Sequence, residues 1–406
     1  MKAFPLYIVL LVLLSSRLFF FYSEQHIYRE NEEFSQTYSF DHEPKKNSYG
    51  QYFFVNKIMV SVPLYPVYEY GDKVTINGTI SLKKTDKGEM LVLLNPKIEK
   101  VESHNPYLAV TKFVRQRIED TVLTTIPSKE GGLLLGILLG VRDKIENDYY
   151  KELKSVGVLH VIAASGQNVS IVAAMLLLVL ERTVKRKLAL LFTVLGVVFY
   201  ASIAGFDPPI VRASIMAILA FGALLTGKQS NGIYILFITG FLMVLINPGL
   251  ITDVSFGLSF LSTLGILTLK PVLDRMASLK FVSLLKDDVT TTLSAQIATF
   301  PIMLSAFGNY SWLSFPVNVA ILWTVPIIMV LGGLGALASL ILPFLSRPFY
   351  LLCYPFLAYF SFIVGFGAKH AIVSGVDTIP ASIIVGYYLV FAAIIFKFNK
   401  KESSRA

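Results

Sequence analysis

The chain has one cysteine among 406 residues, Cys353, set in an apolar run. No partner exists for an intramolecular disulfide, so nothing in the fold depends on oxidation. Histidine is scarce as well, with five scattered copies. None falls in a His-x-Glu-x-x-His or His-x-His-x-Asp-His pattern, and no cysteine pair accompanies them, so no zinc spacing is present. No cofactor is implied. A GxxxxGK[ST] phosphate loop is absent, which excludes that route to ATP-driven work. Charge is thin too: 16% of residues are Asp, Glu, Lys or Arg, against 54% hydrophobic. Such a composition excludes an ordinary soluble domain and describes a polytopic α-helical membrane protein.

The net charge of +9 is unevenly placed. Residues 23–105 hold ten Lys/Arg against twelve Asp/Glu, whereas from residue 157 onward the count is sixteen against eight. Basic excess in an apolar half has loop orientation as its commonest cause.

Residues 4–22, "FPLYIVLLVLLSSRLFFFY", form an apolar run with no convincing small-x-small cleavage site. They read as a retained anchor, residues 1–22. Residues 23–105 alternate apolar and polar positions between Gly, Pro and Asn breaks, as in "QYFFVNKIMVSV" and "GDKVTINGTISL". Several short strands in that length predict a small β-barrel of the OB type. A segment 106–156 follows, with an amphipathic helix near 107–126. The run "GGLLLGILLGV" (131–141) is too short to span and is expected to re-enter the membrane or lie on its surface. The domain 157–398 repeats apolar runs near 157–180, 187–204, 209–226, 231–247, 251–269, 289–308, 312–342, 348–367 and 380–398. With the anchor they predict ten spans. The run 312–342 is too long for one straight span, and Pro316 and Pro326 predict a break within it. Residues 399–406 read as a cytoplasmic tail. With the N-terminus inside, fourteen of the sixteen basic residues after position 157 fall in inside stretches. The C-terminus then also lies inside and the β-domain outside.

Polar groups interrupt this apolar pattern at a similar expected depth, in the outer half of the membrane. The stretch "HVIAASGQNVSIVAAMLLLVL" carries His160, Ser165, Gly166, Gln167 and Asn168 before it becomes plain hydrocarbon. Asp207 precedes the next polar point, Arg212, and Asp253 opens a further segment with Ser255, Phe256 and Ser259. Asn318 lies near the outer end of 312–342. Polar side chains at such depth are costly and face a bundle interior or a water-filled path. Ser165-Gly166 is expected to interrupt its helix, as at transport sites built from broken helices. For Arg212 two readings stand open: a phosphate held by its guanidinium, or an internal ion pair with Asp207 or Asp253.

These residues resemble the ComEC family of competence proteins, inner-membrane channels for DNA uptake. The family signature is similar to H-L-L-A-I-S-G-L-H-V-G-L, and His160–Ile171 read H-V-I-A-A-S-G-Q-N-V-S-I. "PPIVRASIM" resembles the P-x-x-R-A element, "NPGLITDVSFGLSFLSTLGI" the N-P…D-x-S-F-x-L-S-F block, and "FPVNVAILWTVP" the Pro-x-x-Asn element. The sequence departs from the family where Asn168 replaces the second signature histidine, Ser170 a glycine, and Gly257 a glutamine. The resemblance implies a channel passing single-stranded DNA into the cytoplasm during natural transformation. No catalytic residue or metal is implied. His160, Ser165, Gly166, Gln167, Asn168, Asp207, Arg212, Asp253, Ser255, Phe256, Ser259 and Asn318 are the expected path residues. The OB-like domain outside is the expected receiver, with Tyr49, Tyr52, Phe53, Phe54 and Lys57 as contacts, though alternate aromatics in a strand equally fit a core. Besides the lipid bilayer, the implied partners are an external DNA receptor, a separate nuclease, and a cytosolic helicase or single-strand-binding protein. Many members carry a C-terminal metallo-β-lactamase-like domain, and the expectation here is a chain without it.

Two other classes compete. A secondary transporter for a small anionic solute would use the same broken helices and should show an inverted repeat. A membrane-embedded serine hydrolase would use Ser165, yet His160 five residues away shares no helical face with it.

Overall fold

The computed structural model describes residues 4–403 apart from 24–27, 41–43, 48–49, 57, 69–70, 86–87, 102–105, 163–164, 277–285, 308, 372 and 376–379. The chain divides into two compact units, Leu18–Arg117, and Met1–Arg17 with Ile118–Ala406.

The smaller unit is built on strands β1 (Glu33–Ser39), β2 (Lys45–Asn47), β3 (Gly50–Val55), β4 (Ile58–Val62), β5 (Lys73–Thr85), β6 (Gly88–Leu94) and β7 (Lys97–Val101). They pair in the order β1-β5-β6-β4-β3-β2, with β7 also on β5. The long β5 explains the curl. Its first half pairs with β1 on one edge and β7 on the other, and its second half, from Ile80, pairs with β6. One strand so serves two differently directed neighbour sets, and the sheet bends into a half-barrel. A closed barrel is the sequence expectation; among the described residues β1 and β2, the two ends of the order, pair with β5 and β3 and not with each other. Alternation sets the core: Val74, Ile76 and Ile80 of β5 and Ile58 and Val60 of β4 are fully enclosed. Period-two side chains place one face inward on each strand.

The larger unit is helical. Helices α1 (Phe4–Ser23) and α2 (Pro106–Thr125) each run across a boundary of the two units, and α3 (Ser128–Leu139), α4 (Asn147–Ser155) and the short α5 (Leu159–Ile162) follow within the larger one. There follow α6 (Gly166–Leu180), α7 (Arg186–Ile203), α8 (Pro208–Leu225), α9 (Gly232–Ile246), α10 (Val254–Met276) and α11 (Lys286–Phe307). The last are α12 (Ser314–Leu322), α13 (Thr324–Ile341), α14 (Pro343–Lys369) and α15 (Ala381–Ser403). Small strands Asn309–Ser311 and Val373–Gly375 pair antiparallel. The helix starts follow from their prolines. Pro208, Pro316, Pro326 and Pro343 each sit in a first turn, where a missing N–H breaks no helical bond.

Among the described residues five helices, α7, α8, α10, α13 and α14, are long and apolar enough to cross a membrane. Leu10–Ser23, α6, α9 and Ala381–Ala393 are shorter apolar helices. The expected run 157–180 is divided between α5 and α6, and 312–342 between α12 and α13 at Trp323. The surface-lying alternative for 131–141 is corrected. Every residue from Gly131 to Leu139 is buried, whereas a helix lying on a membrane leaves one face outside the protein. From Gly131 onward three glycines and six aliphatic residues make α3 apolar all round, the pattern of an enclosed segment.

Candidate functional site

A short helix enclosed on all sides must find partners for the carbonyls of its last turn. At the end of α3 the first two are met by backbone: Gly140 N–H donates to Gly136 at 2.9 Å and Val141 N–H to Leu135 at 3.4 Å. Side chains meet the next two. Asn168 Nδ2 donates to the Ile137 carbonyl at 2.7 Å, and the Tyr200 hydroxyl to the Leu138 carbonyl at 2.8 Å. Asn168 is 1% exposed, and its Oδ1 accepts from Ser165 Oγ at 3.0 Å. Both polar ends of Asn168 are thus used inside the bundle.

Ser165 precedes α6 in an extended conformation, and its hydroxyl makes no cap bond to the helix. The turn opens instead with Asn168 N–H donating to the Ser165 carbonyl at 3.1 Å. Among the described residues, the amides of Gly166 and Gln167 have no acceptor.

Arg212 lies in the second turn of α8 and is 6% exposed. Its Nε donates to Ser259 Oγ of α10 at 2.7 Å, and Nη1 lies 3.4 Å from Met216 Sδ. Nη2 faces the start of α6: a Cβ built on Gly166 would lie 2.7 Å from it. Glycine at this position is what lets the guanidinium approach the helix end. Three stretches distant in sequence, "SGQN", "PPIVRAS" and "LSF", therefore meet at one guanidinium.

The ion-pair reading of Arg212 is overturned among the described residues. Asp207 Oδ2 lies 3.8 Å from Arg142 Nη2, and Asp253 Oδ1 accepts the Phe256 amide at 2.7 Å as the cap of α10. Among the described residues no carboxylate pairs with Arg212.

The other expected residues are dispersed. His160 and Gln167 are exposed and Ser255 is exposed at the start of α10, while Phe256 stacks on Phe260 with centroids 6.1 Å apart. Asn318 belongs to a separate cluster. It is 1% exposed, its Nδ2 donates to Ser314 Oγ at 3.3 Å, and Ser314 Oγ in turn donates to the Gly157 carbonyl at 3.5 Å. In the β-unit, Phe53 packs between Tyr38 and Phe40, with centroids at 5.5 Å and 4.8 Å. This corrects its expected contact role, because an enclosed ring cannot stack on a base. Phe54 points to the other face and is exposed, and Tyr52 is partly exposed. Tyr49 and Lys57 lie outside the described residues.

Tyr200 and Arg142 were not expected at the site. Tyr200 had a signal, since a tyrosine deep in an apolar run needs a partner for its hydroxyl. Arg142 had none that separates it from any loop cation. Among the described residues, no three His, Cys, Asp or Glu side chains gather to hold a metal ion.

The family model described as "Competence protein" matches residues 137–401. The chain is 24% identical over 241 residues to ComE operon protein 3 of Bacillus subtilis (strain 168), covering 58% of this chain and 30% of that protein. It is 33% identical over 112 residues to an uncharacterized protein of Aquifex aeolicus (strain VF5), covering 27% and 26% respectively. The matched part is less than a third of the length of either relative. No solved structure matches the chain significantly.

Proposed function

Because the chain belongs to the competence protein family, we propose that it is an inner-membrane channel admitting single-stranded DNA to the cytoplasm during natural transformation. Its five long apolar helices fit a membrane protein. The carrying observation is the convergence of Ser165-Gly166, Arg212 and Ser259 from α6, α8 and α10, a polar junction inside otherwise apolar helices. A polyanion needs a cation along its path, and apolar helices supply the surrounding wall.

In this reading both termini face the cytoplasm and the β-unit faces outward, where Phe54 and Tyr52 are available to bases. A receptor outside, a separate nuclease, and a helicase or single-strand-binding protein inside complete the process. No catalytic step is assigned to the chain. Ser165 Oγ donates to Asn168 Oδ1, an amide oxygen that is no general base, which favours a channel over a serine hydrolase.

The test is uptake of labelled DNA in a deletion strain complemented with this chain, with surface-bound and internalised label scored separately. Deletion should leave binding and abolish entry, and the chain should restore entry. Unchanged internalisation in a strain proven competent sinks the channel reading and leaves the anionic-solute transporter as the better account.

A further inference from the structure

We propose that Arg212, Ser259 and the start of α6 form a seat for one phosphodiester group of the translocated strand. The proposal rests on the channel reading and adds to it the atoms that grip the backbone.

The N-terminus of α6, a helix of 15 residues, carries the positive end of its dipole and two amides, those of Gly166 and Gln167, that have no acceptor among the described residues. The Arg212 guanidinium is 94% buried by its 6% exposure, and it is aimed at that same end. Two positive groups face each other inside the bundle, and among the described residues no carboxylate pairs with Arg212. Structural arginines in such places are paired, because an uncompensated buried cation is strongly destabilising. What relieves this arrangement is an anion bound between the two.

The donor set defines the anion. A guanidinium presents parallel N–H groups matched to two oxygens of a phosphate. Helix-terminal amides suit the same oxygens. Ser259 Oγ accepts from Arg212 Nε, so its own proton remains free to donate. A phosphodiester carries a single negative charge, the amount one arginine neutralises. Asn168 is excluded from the seat because its polar atoms are already engaged with Ile137 and Ser165. Gly166 is part of the seat by what it lacks: a methyl at its Cβ position would displace Nη2.

The experiment is equilibrium binding to the full chain in nanodiscs, using three probes: a single-stranded oligonucleotide, the same sequence with a neutral methylphosphonate backbone, and inorganic phosphate. Wild type is compared with Arg212→Ala, Arg212→Lys and Gly166→Ala, each first checked by thermal melting. Arg212→Ala removes an unpaired buried charge and is expected to melt no lower than wild type. Gly166→Ala keeps every charge and so reports the seat independently. The expected result is that oligonucleotide affinity falls about 10- to 100-fold in Arg212→Ala and Gly166→Ala. The slope of log affinity against log salt should become shallower by about 0.7 in Arg212→Ala. Arg212→Lys should recover part of the loss, the neutral probe should be indifferent to all three changes, and inorganic phosphate should bind weakly in an Arg212-dependent way. Oligonucleotide binding that is unchanged in affinity and salt slope by both alanine variants overturns the seat and leaves the channel reading standing. Arg212-dependent phosphate binding with no oligonucleotide binding by wild type overturns both, and points to a small-anion site.

Discussion

Asn168 holds the end of α3 through its bond to the Ile137 carbonyl, 31 residues earlier in the chain. The family signature that this stretch resembles has a histidine there, and an imidazole can present an N–H as an amide does. Asn168→Leu removes the donor and leaves a buried carbonyl unmet, so stability should fall by about 1–3 kcal/mol. Asn168→His should retain most of it. Thermal and denaturant melts of the purified chain decide, and equal melting of the leucine variant and wild type would show that the bond contributes nothing.

Tyr149 gives the fold an alkaline weakness. It is 2% exposed on α4, its hydroxyl lies 3.1 Å from Ser361 Oγ of α14, and Lys129 Nζ sits 4.4 Å above its ring. Burial pushes its phenol well above the ordinary range, outweighing the opposing bond to Ser361. An unfolded tyrosine loses its proton near pH ~10, while the folded one still holds it. The folded state thus binds more protons above that pH, and stability falls as pH rises, by up to about 1.4 kcal/mol per pH unit. Tyr149→Phe should be less stable at pH 8 by about 1 kcal/mol for the lost bond. Its decline between pH 10 and 12 should be shallower than that of wild type. Parallel declines in the two proteins would mean another group governs the alkaline limb.

Much of the helical layout is legible in the sequence, for a physical reason. The apolar runs read at 187–204, 209–226 and 231–247 lie within about a residue of α7, α8 and α9, because charges, prolines and Asn231 mark their ends. The break in 312–342 is signalled by Pro326, and the chain turns three residues before it so that the proline enters the first turn of α13. Direction is what the pattern lacks. Alternation in "QYFFV" separates Phe53 from Phe54 but does not say which of them faces the core. Asn168 and Gln167 are both polar neighbours, yet only the bond from Asn168 to the Ile137 carbonyl shows which one faces inward. The open edge of the sheet is equally unreadable, since closure depends on where β5 changes partners.

Helix spacing in the bundle gives a paired test within one helix. On α13 a Cβ at Gly335 would run into the ring of Tyr350, a fully enclosed side chain of α14. Gly333, two residues away, has nothing within 4 Å of the same position. Gly335→Ala should therefore force α13 and α14 apart and cost about 1–3 kcal/mol or more. Gly333→Ala meets no obstacle and should be neutral or stabilising by up to about 1 kcal/mol. Melting both variants in the same detergent checks the contrast. Equal effects from the two would mean that the helices do not approach at Gly335.

Gln51 makes a comparable claim in the β-unit. It is fully buried on β3, and the two hydrogens of its Nε2 are shared among the carbonyls of Pro63, Leu64 and Pro66 at 3.1, 3.0 and 2.9 Å. Its Oε1 also accepts the Tyr68 amide at 3.5 Å. One amide so ties down a loop whose residues 63–67 are exposed and pack little of their own surface. Gln51→Leu keeps the volume and removes every bond, and should cost about 1–3 kcal/mol. Gln51→Glu keeps the shape but sets an ionised carboxylate against three carbonyls, and should cost more. Amide hydrogen exchange on the full chain locates the effect, with protection expected to fall at Tyr68, whose amide loses its acceptor in Gln51→Leu. Protection at Tyr68 that survives in Gln51→Leu would mean that the loop is held by other contacts.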